Sequence, residues 1–323
     1  MEDTSVLVVS DIHYAGAAEK QRPNFELSSV KNPWTRTLLG WHRRYFWLRD
    51  PFAHNHLLDH VLDYPNPVDW VVANGDFSCD SGFIGVADDA AFSSAAECLS
   101  RLRTRFSPRF QATIGDHELG KKSLGGGQGG MRIASWNRAV QDLQLEPFWR
   151  IELGDYVLTG VASSLVALPV FAPETLPNEG SAWMELRERH LEQIRGHFES
   201  LSPRQRVVLF CHDPTALPFL FQMPIIRQKC SQISATIIGH LHTEIILFKS
   251  RLLAGMPAIP FLGNSIRRMS TALNQAACWK PFRIRLCPAL AGIELLKKGG
   301  FLTLSLPVDP ARPVRFRAHD FRR

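Results

Sequence analysis

Acids and histidines recur in this chain directly after short apolar runs, in a pattern that could hold metal ions. The run at residues 6–9 leads into Asp11 and His13, and the run at 70–73 into Asn74, Gly75 and Asp76. Residues 110–114 lead into Gly115, Asp116, His117 and Glu118, residues 207–211 into His212 and Asp213, and residues 235–238 into Gly239, His240, Leu241 and His242. Carboxylates and imidazoles together suit divalent transition metals. Brought into one pocket, Asp11, His13, Asp76, Asp116, His212, His240 and His242 would serve two cations, and a paired-cation site implies hydrolysis.

The elements that must position these groups follow from the same runs. Short apolar runs closed by Gly, Asp or Asn read as buried strands whose ends meet solvent. In open α/β sheets, ligands bind in the crevice beyond the carboxyl ends of the strands. Because the motifs run from Asp11 to His242 and must converge, residues 1–323 read as one domain. Residues 15–66 form an insertion, far longer than a strand-to-helix connection requires. Helices are predicted near residues 57–62, 88–105, 135–145 and 182–200. A hairpin is predicted from residues 148–153 and 156–163 around Gly154 and Asp155. Residues 245–248 and 301–306 read as tail strands completing a second sheet. The glycine-rich segment 123–130 lacks the Gly-Lys-Ser/Thr of a phosphate loop and reads as a rim or as slack. The fold class expected is α/β: a four-layer sandwich of two mixed sheets flanked by helices, with an inserted helical cap.

Composition narrows the class. The 323 residues are 45% hydrophobic and 21% charged, ordinary for a globular protein with a large core. A net charge of +6 favours anionic substrates or surfaces without separating nucleic acid, phospholipid and nucleotide. The acidic start at residues 1–4 reads against a secretory signal, and no apolar run is long enough to span a bilayer. The six cysteines show no CxxC spacing and read as buried thiols in a reducing compartment. A cytoplasmic protein, peripheral on the inner face of a membrane, is the expectation.

In order, Asp-x-His, Gly-Asp, Gly-Asp-His-Glu, His and Gly-His-x-His resemble the calcineurin-like metallophosphoesterase superfamily over residues 11–242. That resemblance implies that Asp11, His13 and His242 hold one metal and that Asp76 bridges both. Asp116, His212 and His240 would hold the second. His117 would be no ligand but would stand beside the scissile phosphate, stabilising charge or protonating the leaving oxygen. Two divalent cations are implied, with Mn²⁺ favoured by the mixed donor set and Fe or Zn²⁺ also suited. One position departs from the family, which usually has Asn where this chain has Asp116. A third carboxylate lowers the formal charge of a two-cation centre from +2 to +1, so the expectation is tighter metal binding and weaker Lewis acidity. The second motif reads Gly75-Asp76-Phe77-Ser78-Cys79-Asp80, unlike the Ser/Thr protein phosphatases.

Within the insertion, Trp34, Leu38, Trp41, Tyr45 and Leu48 recur at helical spacing along residues 31–50 and define one apolar face, with Arg36 and Arg43 on another. Such a segment either packs on the core or contacts lipid at the headgroup level, with Trp34, Trp41 and Trp47 as contacts. It also loosely resembles the cap of lipid-active metallophosphoesterases of the UDP-diacylglucosamine hydrolase type. His56 and His60, one helical turn apart, read as surface histidines rather than a metal site. After Gly263, Asn264, Arg267 and Arg268 are read as a loop that could reach a substrate phosphate. The function expected is metal-dependent hydrolysis of a phosphate ester or pyrophosphate, with an anionic membrane surface as a partner. A small-molecule or cyclic nucleotide phosphodiesterase is the alternative, and a metal-free protein-binding scaffold is the alternative of another class. Nucleic acid is not favoured, since no long basic groove with interleaved aromatics extends beyond residues 34–49.

Overall fold

A computed structural model describes residues 3–22, 25–123, 127–259 and 264–322. Its ten strands are β1 (Thr4–Val9), β2 (Trp70–Ala73), β3 (Phe110–Ala112), β4 (Phe148–Leu153), β5 (Tyr156–Val161), β6 (Arg206–Cys211), β7 (Ile233–Ile238), β8 (Ile284–Leu286), β9 (Lys298–Leu306) and β10 (Arg315–Arg322). They form two five-stranded sheets, in the order β10-β9-β1-β2-β3 and β4-β5-β6-β7-β8. Within the first, β1, β2 and β3 are parallel, β9 runs antiparallel to β1, and β10 runs antiparallel to β9. Within the second, β5 to β8 are parallel and only β4 runs the other way.

Alternation along each strand explains the layering. Val6 and Val8 of β1 join Val72, Leu158, Val208, Phe210 and Ile237 in a core cluster shared by the two sheets. Leu7 and Val9, on the opposite face, join the larger cluster built with the helices. A strand buried on both faces reads as an unbroken apolar run, which is why these strands are visible in the sequence. The four-layer α/β sandwich of two mixed sheets and flanking helices is the architecture observed.

Two expectations are corrected. Residues 245–248 are helical, inside the helix Glu244–Leu252, because Thr243 caps it by accepting from the Ile246 N–H. The tail strand at residues 301–306 is real but pairs with β1 in the first sheet, and it is β8 that extends the second. The insertion between β1 and β2 carries the helix Pro33–Tyr45, called the cap helix below, and the helix His56–Leu62. Among the described residues, no helix is long and apolar enough to cross a membrane.

Candidate metal centre

Every parallel strand that carries a motif delivers it at its carboxyl end: Asp11 and His13 after β1, Asp76 after β2, Asp116 after β3, His212 after β6, and His240 and His242 after β7. Their ligand atoms gather in groups. Asp11, His13 and His242 form one, and Asp76, Asp116, His212 and His240 another, each with its atoms within 4.8 Å of one another. A third group, His13, Asp76 and His117, joins the two. His212 Nε2 lies 3.2 Å from Asp76 Oδ2 and 3.4 Å from Asp116 Oδ1. His240 Nδ1 lies 3.2 Å from Asp116 Oδ1, and His242 Nε2 3.4 Å from Asp11 Oδ1.

Backbone geometry shows what the fold gives up to place them. Asp11 (φ +49°), His13 (+49°), Asp76 (+61°), His240 (+54°) and His242 (+60°) all sit in the left-handed region, although none is glycine. Each such residue costs on the order of 1–3 kcal/mol and persists only where its surroundings over-determine it. Glu118 supplies much of that constraint: its buried carboxylate accepts from the N–H groups of Gly115 (2.8 Å), Asp76 (3.0 Å) and Phe77 (2.8 Å). Across the sheets, the His240 N–H donates to Asp11 Oδ1 at 3.0 Å. The motif glycines are steric necessities. A Cβ on Gly115 would lie 2.2 Å from Asp76 Oδ1, and one on Gly239 2.4 Å from Asp11 Oδ2.

Tautomers are set in a ligand-ready state. The His212 Nδ1–H donates to the Asn74 carbonyl at 2.6 Å and that of His13 to Ser78 at 3.4 Å, so that each Nε2 faces the site. His13 Nε2, His212 Nε2 and Asp76 Oδ2 are buried without a hydrogen-bond partner. Convergent buried nitrogen and oxygen atoms of this kind are what a bound cation satisfies, so the donor set fits divalent metals.

Charge divides accordingly among these groups. Burial pushes His13 down to about 4, and burial with Lys121 pushes His117 down to about 3. Burial also opposes protonation of His212, but Asp76 and Asp11 outweigh it and raise that pKa. Burial and Asp116 push Asp76 up, yet His212 and His117 prevail and hold it below the usual carboxylate range. Burial with the Asp76 charge raises Glu118 to about 7. Lys121 is a group that no motif announced. Its Nζ lies 3.0 Å from Asp116 Oδ2.

Above the donors opens a cavity of about 570 Å³, reached by His13, His117, His240 and His242 from its floor. Phe25, Trp47, Phe83, Leu241, Leu273 and Trp279 make its walls predominantly apolar, and Lys121 and Arg268 add positive charge.

A family model described as calcineurin-like phosphoesterase matches residues 4–244. The chain belongs to that family. It is accordingly a metal-dependent phosphoesterase, with an Asp/His cluster able to hold the family's two divalent cations. A dimetal phosphatase from Danio rerio shares the fold with a TM-score of 0.50 at 10% identity, over 99% of this chain and 98% of that one. A metallophosphoesterase from Sphaerobacter thermophilus gives a TM-score of 0.35 at 14% identity, over 99% and 89% of the two chains. No curated protein matches the chain in sequence.

The remaining sequence candidates scatter. Arg268 lines the cavity and pairs with Glu174 at 3.3 Å, while Arg267 Nη2 is buried without a hydrogen-bond partner. Both lie in the helix Asn264–Asn274 rather than in a loop, and the Asn264 side chain lies outside the described residues. Trp34 and Trp41 are exposed, but Trp47 turns into the cavity wall, its ring 4.8 Å from that of His242. His56 and His60 are exposed on the helix His56–Leu62. Of the glycine-rich segment, residues 124–126 lie outside the described residues, and Ser123 lines the cavity.

Proposed function

We propose that this phosphoesterase hydrolyses a phosphate ester or pyrophosphate that carries an apolar group. The observation that carries this reading is the apolar cavity standing directly on the two donor groups. At its floor Asp11, His13 and His242 would hold one cation and Asp116, His212 and His240 the other, with Asp76 serving both. Mn²⁺ suits this oxygen and imidazole set without thiolate, as do Fe and Zn²⁺. Two bound cations supply the Lewis acidity and nucleophile activation of phosphoryl hydrolysis.

The chain's own residues orient and neutralise. His117 faces the cavity with its Nε2 3.9 Å from Asp76 Oδ2, placed to donate to a phosphoryl oxygen or to the leaving group. Lys121 offsets the extra carboxylate of Asp116, so the centre recovers the +2 formal charge of the usual Asn-bearing set. Arg268 and Lys121 attract the phosphate, and Phe25, Trp47 and Trp279 exclude water around it.

Metal content and turnover of bis-p-nitrophenyl phosphate with Mn²⁺ test the centre, and phosphate esters of increasing alkyl length test the cavity. Two metals per chain are expected, with kcat/KM rising by roughly fourfold per buried methylene. His117→Asn should keep both metals and lose about 10²–10⁴ in kcat. No metal and no turnover would leave the protein-binding scaffold. Turnover indifferent to alkyl length, with a preference for cyclic nucleotides, would favour the nucleotide phosphodiesterase.

A further inference from the structure

The cap helix is amphipathic in the reverse sense to an ordinary surface helix. Its apolar stripe faces out: Trp34 is 84% exposed, Leu38 67%, Trp41 55% and Tyr45 49%. What it turns inward is Leu39, Gly40 against Leu27, and a largely enclosed ion pair between Arg43 and Glu26. A helix stabilised by its own core would bury the stripe, and contiguous exposed apolar surface of this size marks a contact with something else. A second stripe repeats the pattern on the helix Glu244–Leu252, where Ile245 is 43%, Phe248 67% and Leu252 74% exposed. Both segments reach the catalytic cavity, the first through Trp47 and Leu48 beyond its end, the second through Ile246 and Lys249.

Beside the cap helix lies a second cleft of about 760 Å³ whose charged lining is Lys20, Arg43, Arg44 and Arg49 against Glu26 and Asp50. Glu26, which also lines the cleft, is committed to Arg43; among the described residues no ion pair engages Lys20, Arg44 or Arg49. Lys31, Lys249 and Arg251 add exposed positive charge on or next to the two helices. Tryptophan and tyrosine beside lysine and arginine is the combination that settles at the headgroup level of an anionic bilayer. Self-association fits less well, because a two-fold interface would set these cations against their own copies.

We propose that the two stripes and the basic cleft form one docking surface for an anionic phospholipid bilayer, with a lipid phosphate headgroup in the cleft of Lys20, Arg44 and Arg49. Docked in this way, the mouth of the cavity opens onto the lipid, so a substrate anchored by acyl chains enters without crossing water. The surface gives the apolar-substrate reading its source of substrate, but it is tested without turnover, so either can fail alone.

The test uses the full chain and vesicles of phosphatidylcholine with or without phosphatidylglycerol, read by co-sedimentation and tryptophan fluorescence. The parent protein should bind the phosphatidylglycerol vesicles on the order of tenfold more tightly than phosphatidylcholine alone, with a blue-shifted emission. Trp34→Ser/Leu38→Ser/Trp41→Ser should lose on the order of tenfold in binding to either vesicle. Arg44→Glu/Arg49→Glu should lose the preference for phosphatidylglycerol while retaining the weaker binding. Melting temperatures equal to the parent's show that the exposed substitutions leave the fold intact. Equal partitioning of the parent and the stripe variant overturns the proposal. So does concentration-dependent dimerisation that the stripe substitutions abolish without any vesicle binding, or saturation of the cleft by free glycerol phosphate in a protein indifferent to vesicles.

Discussion

At the scale of single residues, Asp116 and Lys121 define what is particular to this site. An extra carboxylate taken alone would hold a cation more tightly and weaken its Lewis acidity, but an ammonium 3.0 Å away offsets that charge. Burial works against the Lys121 charge, and Asp116 and Asp76 outweigh it and raise the pKa. Asp116→Asn alone therefore strands a cation beside the metals, and Lys121→Met alone strands an anion. Asp116→Asn should weaken Mn²⁺ binding on the order of tenfold, whereas Lys121→Met, which leaves the full Asp116 charge to the metals, should tighten it by a similar factor and lower kcat. Isothermal titration with Mn²⁺ measures this; an affinity unchanged in Lys121→Met would show that the ammonium does not offset the Asp116 charge. The metal-ligand candidates were legible because each closes a strand. Lys121 was not, since it stands in no motif and its partner is fixed by how the chain leaves Asp116. Glu118 was visible within its motif but without a role, because its work lies in three backbone N–H groups from two loops.

At the scale of elements, the strands that carry the motifs were readable, whereas β8, β10 and the helices Glu244–Leu252 and Asn264–Asn274 were not. The β-branched pair at residues 245 and 246 mimics a buried strand over four positions, and a run that short carries no helical period. Thr243 followed by an acidic first turn was the available signal. The helix Gly180–Ser200 was read correctly from its length and charge, and it presses two histidines onto the second sheet. His190 Nε2 accepts from the Ala162 N–H at 3.2 Å, and burial pushes its pKa down to about 4. An unfolded histidine binds its proton near pH 6.5, whereas the folded one resists protonation down to about 4. The stabilisation is thus complete above pH 6.5 and is lost as pH falls toward 4, amounting to on the order of 3 kcal/mol. His190→Gln keeps an acceptor and cannot titrate, so its denaturation midpoint should fall less steeply than the parent's across that interval. Coincident slopes would mean that His190 is already protonated in the fold.

At the scale of the whole molecule, the two groups that would each hold a cation both draw on both sheets. Asp11 and His13 come from the first and His242 from the second; Asp76 and Asp116 come from the first and His212 and His240 from the second. Metals bound there tie the sheets together at one rim, while the shared valine, leucine and isoleucine layer holds them below. Saturation of a site at a thousandfold above its Kd adds about 4 kcal/mol to stability. Chelation should lower the melting temperature by roughly 10 °C, and restored Mn²⁺ should recover it in scanning calorimetry. A melting temperature indifferent to chelator would mean that no cation bridges the sheets. The same arrangement limits how the chain could ever be divided. A break after β3 would part the carboxylates from most of the imidazoles, and it would also strand β9 and β10 away from the β1 edge they flank. Neither fragment would own a complete coordination sphere, so any activity from a severed gene would have to await reassociation of its two products.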